Sequence, residues 1–164
     1  MLRNEKWPRP AAIAGAILLC DQVTKFYILR TMRLEESIPI VPNFFSLTSI
    51  RNPGAAFGLF AQASPLFRAA LFATVSVVVL VFLTLLFLQT PKEDSWNLAA
   101  IALLFGGAAG NTIDRLRFGV VVDFLDIYWR DYHWPAFNVA DAAITIGITL
   151  MMIQTVRAGR PTSP

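Results

Sequence analysis

One apolar stretch of the sequence, residues 66–88, reads LFRAALFATVSVVVLVFLTLLFL and carries no charge after Arg68. A helix needs about 20 such residues to cross the hydrocarbon core of a bilayer. The stretch therefore predicts a membrane-spanning helix, and its lack of ionisable groups favours a structural, lipid-facing role. The whole chain has the same character, because 55% of its 164 residues are hydrophobic and its mean hydropathy is +0.55, an apolar excess unusual for a soluble domain.

Three further apolar stretches approach the same length. With the first they predict four spans in a single membrane-embedded domain, residues 1–164, and the short polar link between the second and third spans predicts an antiparallel return. The most N-terminal stretch could also be a signal peptide that ends at Cys20, but bulky Leu19 stands where a lipoprotein precursor carries a small residue. The predicted spans are residues 11–29, 66–88, 98–115 and 135–156.

Two segments between the spans are too polar or too interrupted to cross a membrane. Residues 35–60 alternate short β-prone pieces with prolines and the turn-forming Asn52-Pro53-Gly54, so we expect strands and turns there. Residues 119–134 are rich in aromatic side chains, which favour the membrane interface, and we expect them to lie along the surface and to be partly helical. The predicted fold class is an all-α polytopic membrane protein with four transmembrane helices, a small extracytoplasmic β insert and a short interfacial helix.

Orientation rests on the charges that flank the spans. With four spans both termini lie on one side of the membrane, and a basic head and tail predict that this side is the cytoplasm. A plain count of Lys and Arg does not favour this orientation, but the first helix usually dominates, and several opposing charges belong to a polar cluster described below. The basic residues of the head and tail are Arg3, Lys6, Arg9, Arg157 and Arg160.

Composition also excludes several function classes. The chain has one cysteine, Cys20, and one histidine, His133, which is too few for a zinc site, so we expect no metal and no cofactor. A net charge of +3 does not indicate nucleic-acid binding, because the basic residues are scattered and form no stripe with aromatics. Phosphate-binding loops, serine-hydrolase elbows and metalloprotease motifs are absent from the sequence, and no serine neighbours Lys25 for a Ser/Lys dyad.

The unusual polar residues of the chain converge on one membrane face. Threading the helices up and down brings together the end of the first span, the insert, the end of the third span and the start of the fourth. Ionisable groups near hydrocarbon are costly and usually face a protein interior or a watery cavity, so this convergence predicts a functional site. The residues concerned are Asp21, Lys25, Asn52, Asn111, Asp114, Arg115, Asp123, Asn138 and Asp141.

Two of these residues suit hydrolytic chemistry. Asp123 follows three valines and Asp141 lies just inside the fourth span, so both are expected at the outer hydrocarbon boundary. Adjacent carboxylates share a proton, so that one deprotonates a water while the other donates to a carbonyl. The alternative from position alone is that they are separate, Asp123 in a surface turn and Asp141 in the first turn of a helix, where negative charge is favourable.

The supporting residues also have structural explanations. Asp21 and Lys25 are four apart with the acid first, which stabilises a helix without any further role. Gly106 and Gly110 are most simply a close-packing helix face. Asn111 lies four residues before Arg115, so the two share a helix face on which they could hold a carboxylate or a carbonyl.

Five motifs, in chain order, resemble those of the lipoprotein signal peptidase family, also called signal peptidase II. Each motif is weak by itself, but their order along nearly the whole of a four-span chain is highly specific. A small departure is Ala142, where the family often has Ser. The matching motifs are Asp21–Lys25, Arg51–Gly58, Gly106–Arg115, Val122–Phe124 and Phe137–Asp141.

The resemblance implies an aspartic membrane endopeptidase of the bacterial cytoplasmic membrane. It would cleave prolipoproteins just before a diacylglyceryl-modified cysteine, with Asp123 and Asp141 as catalytic pair, and would be inhibited by the cyclic peptide globomycin. The insert at residues 35–60 would form an extracytoplasmic β-cradle, and we expect a monomer surrounded by membrane lipids. Residues implied to shape or stabilise the site are Asp21, Lys25, Asn52, Gly54, Gly107, Asn111, Arg115 and Asn138.

Two other function classes compete with this interpretation. A small transporter or channel component would use intramembrane charges to relay ions, but it should place them at the midplane and show paired repeats. A non-enzymatic membrane assembly factor would instead use the aromatic interfacial stretch. Either alternative predicts that Asp123→Asn and Asp141→Asn retain activity.

Overall fold

The computed structural model describes residues 6–54, 60 and 62–158. The part of the second motif at residues 55–58, the end of the predicted insert, Arg3 and the basic tail at Arg160 lie outside the described residues. Within them the chain forms four long helices and a small antiparallel sheet. The elements are α1 (Pro8–Thr31), β1 (Ser37–Val41), β2 (Phe45–Asn52), α2 (Pro65–Gln89), α3 (Ser95–Phe118), β3 (Val121–Trp129), β4 (Tyr132–His133) and α4 (Val139–Ala158).

All four helices are long and apolar enough to cross a membrane, which confirms the prediction of four spans. The most apolar is α2, which begins after Ser64, whose hydroxyl caps the helix by accepting a hydrogen bond from the Phe67 amide. It packs against α3 and leaves most of its side chains exposed, as expected for a helix that faces lipid.

Helix α3 lies at the centre and packs against the other three helices, and its contacts with α1 and α4 are made through glycines. A Cβ atom at Gly106 would lie 2.8 Å from the Ala14 carbonyl oxygen of α1, and one at Gly107 would lie 2.5 Å from the Ala140 carbonyl oxygen of α4. At Gly110 it would lie 2.5 Å from an oxygen of Asp21. The glycine face predicted at 106 and 110 is confirmed, because these helices approach too closely for any side chain.

The sheet has the strand order β1-β2-β3-β4, with each neighbouring pair antiparallel. Strands β1 and β2 confirm the extended structure predicted for the described part of the insert. Strand β2 pairs with β3 so that Ile50 lies opposite Asp123 and Asn52 opposite Val121. Buried side chains of β3, Val122 and Phe124, pack on the end of α1 and hold the sheet against the helices.

The prediction of a partly helical segment at residues 119–134 is wrong. Gly119 ends α3 in a left-handed conformation with φ 71°, and the chain continues directly into β3 and β4. The helical interpretation rested on aromatic enrichment, which indicates an interface but not a secondary structure. The first four residues of β3 are all buried, so the alternation that normally reveals a strand is missing.

One further prediction needs correction near this sheet, and one contact there was not predicted. The fourth helix begins at Val139 rather than at 135, because Phe137 forms a bridge with Leu125 that extends the chain. His133, for which the sequence indicates no partner, has its Nδ1 2.9 Å from an oxygen of Asp126, and its ring stacks on Tyr128. The hairpin formed by β3 and β4 brings these residues together.

Candidate active site

A cavity of about 1040 Å³ lies between the sheet and the ends of α3 and α4. Its polar wall includes Asn52 from β2, Asp123 from β3 and Asp141 from α4. Asn111 and Arg115, one helical turn apart on α3, complete this wall, and the Arg115 guanidinium stacks on the Phe72 ring of α2 at 4.5 Å. The cavity therefore brings together groups that are far apart in the sequence.

Asp123 is 2% exposed, and the protein donates a hydrogen bond to each of its oxygens. Asn138 Nδ2 donates to Oδ1 over 2.7 Å, and Asn52 Nδ2 donates to Oδ2 over 3.0 Å. The pKa of Asp123 is raised to about 7, mainly by burial and also by the neighbouring Asp141 carboxylate, while the two amide donors and the charge of Lys25 oppose the shift. Asp123 is thus poised to be protonated near neutral pH.

Asp141 is the third residue of α4 and forms a capping box with Asn138, the residue before the helix. Asn138 Oδ1 accepts from the Asp141 amide over 2.9 Å, and Asp141 Oδ2 accepts from the Asn138 amide over 3.3 Å. Asp141 Oδ1 accepts from Asn111 Nδ2 over 2.7 Å. The structural alternative for Asp141, a first-turn acid, is therefore correct but incomplete, because the same carboxylate also faces the cavity.

Asn138 links the two aspartates and has no exposed surface. Its side chain caps the helix that carries Asp141, and its Nδ2 donates to Asp123. The alternative that the two aspartates occupy separate environments is wrong, because both contact this one residue and line the same cavity. A buried amide with partners on both sides fixes their relative placement.

Behind the polar wall lies a buried ionic cluster. Lys25 Nζ is 2.9 Å from Asp21 Oδ2 and 3.0 Å from Asp114 Oδ2, and all three residues are at most 2% exposed. Lys25 also donates to Asn111 Oδ1 over 2.9 Å. The predicted pair four residues apart in α1 is present, but it belongs to a cluster that joins two helices rather than to a helix surface.

Gly54 and Gly107, the two glycines among the predicted site residues, have different structural roles. Gly54 lines the cavity, and its amide donates to Asn52 Oδ1 over 3.0 Å, which turns the Asn52 amide nitrogen towards Asp123. Gly107 does not line the cavity and instead allows α3 to contact the Ala140 backbone of α4. The structure thus brings every predicted site residue to the cavity or to the shell that holds it.

Sequence reasoning left two residues of this shell out of the supporting set. Asp114 is 1% exposed and accepts from the Val122 amide over 3.1 Å. Gln22 Nε2 contacts oxygens of both Asp21 and Asp114 over 3.1 Å. The signal for Asp114 was its position three residues after Asn111 on one helix face, whereas Gln22 carried no signal beyond its place next to Asp21.

Comparisons with known proteins show the family to which the chain belongs. The family model for signal peptidase (SPase) II matches residues 13–157. A lipoprotein signal peptidase of Geobacter sulfurreducens is 47% identical over 154 residues, covering 94% of each chain, and one of Staphylococcus haemolyticus is 41% identical over 145 residues, covering 88% of this chain and 89% of the relative.

Solved structures give the same result for the fold. A bacterial membrane enzyme determined by the in meso method at 2.3 Å resolution superposes with a TM-score of 0.83 and 34% identity, covering 94% of this chain and 93% of the other. A second, at 1.9 Å resolution, gives a TM-score of 0.79 and 35% identity, covering 89% and 91%. From its sequence, its four spans and these matches, the chain belongs to the signal peptidase II family of multi-pass membrane proteases.

Proposed function

We propose that Asp123 and Asp141 are the catalytic pair with which this protein removes signal peptides from diacylglyceryl-modified prolipoproteins, cutting before the modified cysteine. The observation that carries the proposal is that both carboxylates line one cavity and contact the same buried residue, Asn138. The family match supports the substrate class. No other pair of titratable residues among the cavity-lining part of the described chain has this arrangement.

The pair acts by general acid and base catalysis. One ionised carboxylate removes a proton from water while the water oxygen bonds to the scissile carbonyl carbon, and the protonated carboxyl gives its proton to the carbonyl oxygen. The tetrahedral intermediate then collapses. The C–N bond breaks as one carboxyl of the pair gives its proton to the cysteine nitrogen and the other carboxylate takes a hydroxyl proton from the intermediate. The signal peptide leaves with a new carboxyl group, and the pair again holds one proton. Each positioned proton transfer accelerates such a step by about 10²–10⁴-fold.

The rest of the cavity suits a substrate that is held in the membrane. Away from this polar wall the cavity lining is largely apolar, with Ile127 and Trp134 from the sheet region and Ile144 and Ile146 from α4. Ile146 and Trp134 are also exposed on the outer surface of the protein, where acyl chains of a lipidated precursor would approach. This combination of apolar wall and carboxylate pair supports cleavage next to a lipid anchor.

We also propose that both termini lie in the cytoplasm and that the cavity opens to the outer face of the inner membrane. Lys25, one of the charges that counted against this orientation, is neutralised by carboxylates where it stands. In a Cys20→Ala background, single cysteines would be placed at Asp131 and at Ser163. A membrane-impermeant thiol reagent added to spheroplasts should label position 131 and not position 163, and the reverse labelling would invert the proposed topology.

By the family resemblance, we propose that globomycin occupies this cavity and that the protein acts as a monomer. Globomycin should inhibit cleavage in competition with substrate, and the activity per molecule should not change on dilution in detergent. Inhibition that substrate does not relieve would place the antibiotic elsewhere.

The catalytic assignment is tested by cleavage of a diacylglyceryl-modified prolipoprotein in detergent. Asp123→Asn and Asp141→Asn should fold and lose activity. Asp126→Asn is the matched control, because it removes a carboxylate from the same strand as Asp123 but one that contacts His133. Undiminished cleavage by either catalytic variant would overturn the pair and revive the transporter and assembly alternatives, whereas equal loss in the control would indicate a structural cause.

A further inference from the structure

The ammonium group of Lys25 has a partner for each of its three N–H bonds. Its partners are Asp21 Oδ2, Asp114 Oδ2 and Asn111 Oδ1, at 2.9, 3.0 and 2.9 Å. An ammonium has three donors and no acceptor, so these contacts use its full hydrogen-bonding capacity. Lys25 does not line the cavity. Lys25 can therefore influence the geometry of the cavity only through the three side chains that it contacts.

Both carboxylate partners of Lys25 hold backbone next to the proposed catalytic pair. Asp21 Oδ1 accepts from the Ala140 amide over 2.9 Å, and Asp114 Oδ2 accepts from the Val122 amide over 3.1 Å. These amides belong to the residues immediately before the two catalytic aspartates. One buried cation therefore ties together the two backbone segments whose separation sets the distance between the catalytic carboxylates.

The third partner of Lys25, Asn111, is oriented by the ammonium group so that its amide nitrogen faces Asp141. Its Oδ1 accepts from Lys25 and also from Asn138 Nδ2 over 3.2 Å. Since an ammonium can only donate, the oxygen of Asn111 must face Lys25, and the amide nitrogen must face away from it. That nitrogen donates to Asp141 Oδ1 over 2.7 Å. The cation thus determines that Asp141 receives a hydrogen-bond donor rather than an acceptor.

The two aspartates differ in whether their hydrogen-bond donors contact Lys25. Asp123 receives donors from Asn52 and Asn138, neither of which contacts an ammonium group in the described part of the chain. Asp141 receives a donor polarised by Lys25 and lies in the first turn of α4, where the helix dipole favours a negative charge. The geometry therefore stabilises an ionised Asp141 more than an ionised Asp123.

We infer that Lys25 is a positioning residue of the catalytic pair. Its carboxylate partners fix the backbone before each aspartate, and Asn111 keeps Asp141 as the ionised base, which leaves the shared proton on Asp123. The inference rests on the proposed function and adds to it the division of roles within the pair. Among the other charged groups of the described chain, Arg115 interacts with both aspartates and Asp21 interacts with Asp141. Arg51 lines the same cavity, and Asp114 interacts with both arginines.

The test measures kcat, KM and the pH profile of kcat/KM with a diacylglyceryl-modified prolipoprotein. In Lys25→Met and Asn111→Leu, kcat should fall about 100-fold with little change in KM, and the acidic limb should move up by about one pH unit, because the ionised base loses its donor. Asp114→Asn should destabilise the same cluster but move the acidic limb down or leave it in place, because it removes a negative charge.

A matched control comes from the other end of α1. Lys6, just before the helix, also donates to backbone, the carbonyl groups of Phe87 and Leu88, so Lys6→Met should lower stability and leave the pH profile unchanged. If Lys25→Met does not fold, Asn111→Leu still tests the link from Lys25 to Asp141, because it removes the donor to Asp141 and keeps the ion pairs of Lys25.

An unmoved acidic limb in a folded Lys25→Met or Asn111→Leu variant overturns the inference, as does a shift of Asp114→Asn in the same upward direction. If either result is obtained while Asp123→Asn and Asp141→Asn are inactive, the role of Lys25 is refuted but the assignment of the catalytic pair is not. If those two variants are themselves active, the proposed function fails first, and the two failures are distinguished.

Discussion

The two ends of the helix bundle are held together by different forces. At the cavity end, where α1, α3, α4 and the sheet meet, the buried groups are largely polar and charged. At the linker end, where α2 turns into α3, the buried cluster consists of Phe87, Leu98 and Ile101, and the Trp7 ring packs on Phe87 with centroids 4.6 Å apart.

This difference supports our proposal that the cavity end carries the function. An apolar cluster costs little inside a bilayer, and any sequence of suitable hydropathy can form one. Buried charges cost several kcal/mol each unless they are fully paired, and a well-packed apolar cluster of the same volume is often at least as stable. The cavity end therefore holds groups that stability alone does not require, and the following predictions test that contrast.

The largest effect is expected at Asn138. Asn138→Leu removes the donor to Asp123 and the cap of α4 at once, so we expect cleavage to fall by about 10²–10⁴-fold. The matched change at the linker end is Asn97→Leu, which removes a side chain that contacts only Asp94 among the described residues. That variant should cleave at the wild-type rate. Comparable losses in both variants would mean that the two ends do not differ in function.

A second effect concerns pH and stability. The pKa of Asp123 is about 7 in the folded protein against an ordinary value of 3.8 for an aspartate, so between these values the folded state binds the extra proton and stability falls as pH rises. Asp123→Asn does not titrate. Its free energy of unfolding relative to wild type should therefore rise between pH 4 and pH 7, by up to about 4 kcal/mol.

Denaturant unfolding in detergent at several pH values measures this difference. If the free energies of unfolding of Asp123→Asn and wild type differed by a constant amount across the range, burial would not destabilise the ionised Asp123 carboxylate. An Ile101→Ala variant at the linker end, which changes no titratable group, should show such a constant offset.

A smaller effect is expected from glycine packing. Gly107→Ala would place a Cβ 2.5 Å from the Ala140 carbonyl oxygen, which forces α3 and α4 apart at a cost of about 1–3 kcal/mol and displaces Asp141. Gly15→Ala is the control, since a Cβ there meets nothing within 4 Å, and it should be neutral or stabilise α1 by less than about 1 kcal/mol. Thermal unfolding distinguishes them, and equal behaviour would contradict the close contact.

The same contrast explains what could be predicted from the sequence. Four helices follow from hydropathy because each span carries its own signal, and threading the spans up and down predicts that the carboxylates meet at one membrane face. The strands at residues 119–134 could not be predicted, since β3 is buried at its start and pairs with β2, about 70 positions earlier in the chain. Aromatic side chains there indicated an interface equally well for a helix and for a hairpin.

The site shows the same division between local and distant signals. The capping box of Asn138 and Asp141 is local, and its spacing was visible although its role was not. The contacts of Lys25 with Asp114 and of Asp21 with the Ala140 amide join segments about 90 and 120 positions apart. No periodicity or spacing encodes such contacts, so the cluster emerged only from the fold.

The most direct measurement compares the cleavage rate per folded molecule of variants at the cavity end and at the linker end. Purified Asp123→Asn, Asp141→Asn and Ile101→Ala would be assayed with a diacylglyceryl-modified prolipoprotein after their folded fractions are matched. We predict that both aspartate variants lose at least about 100-fold in rate, while Ile101→Ala cleaves like wild type despite a lower stability of about 2 kcal/mol. Cleavage at the wild-type rate by either aspartate variant would contradict the account.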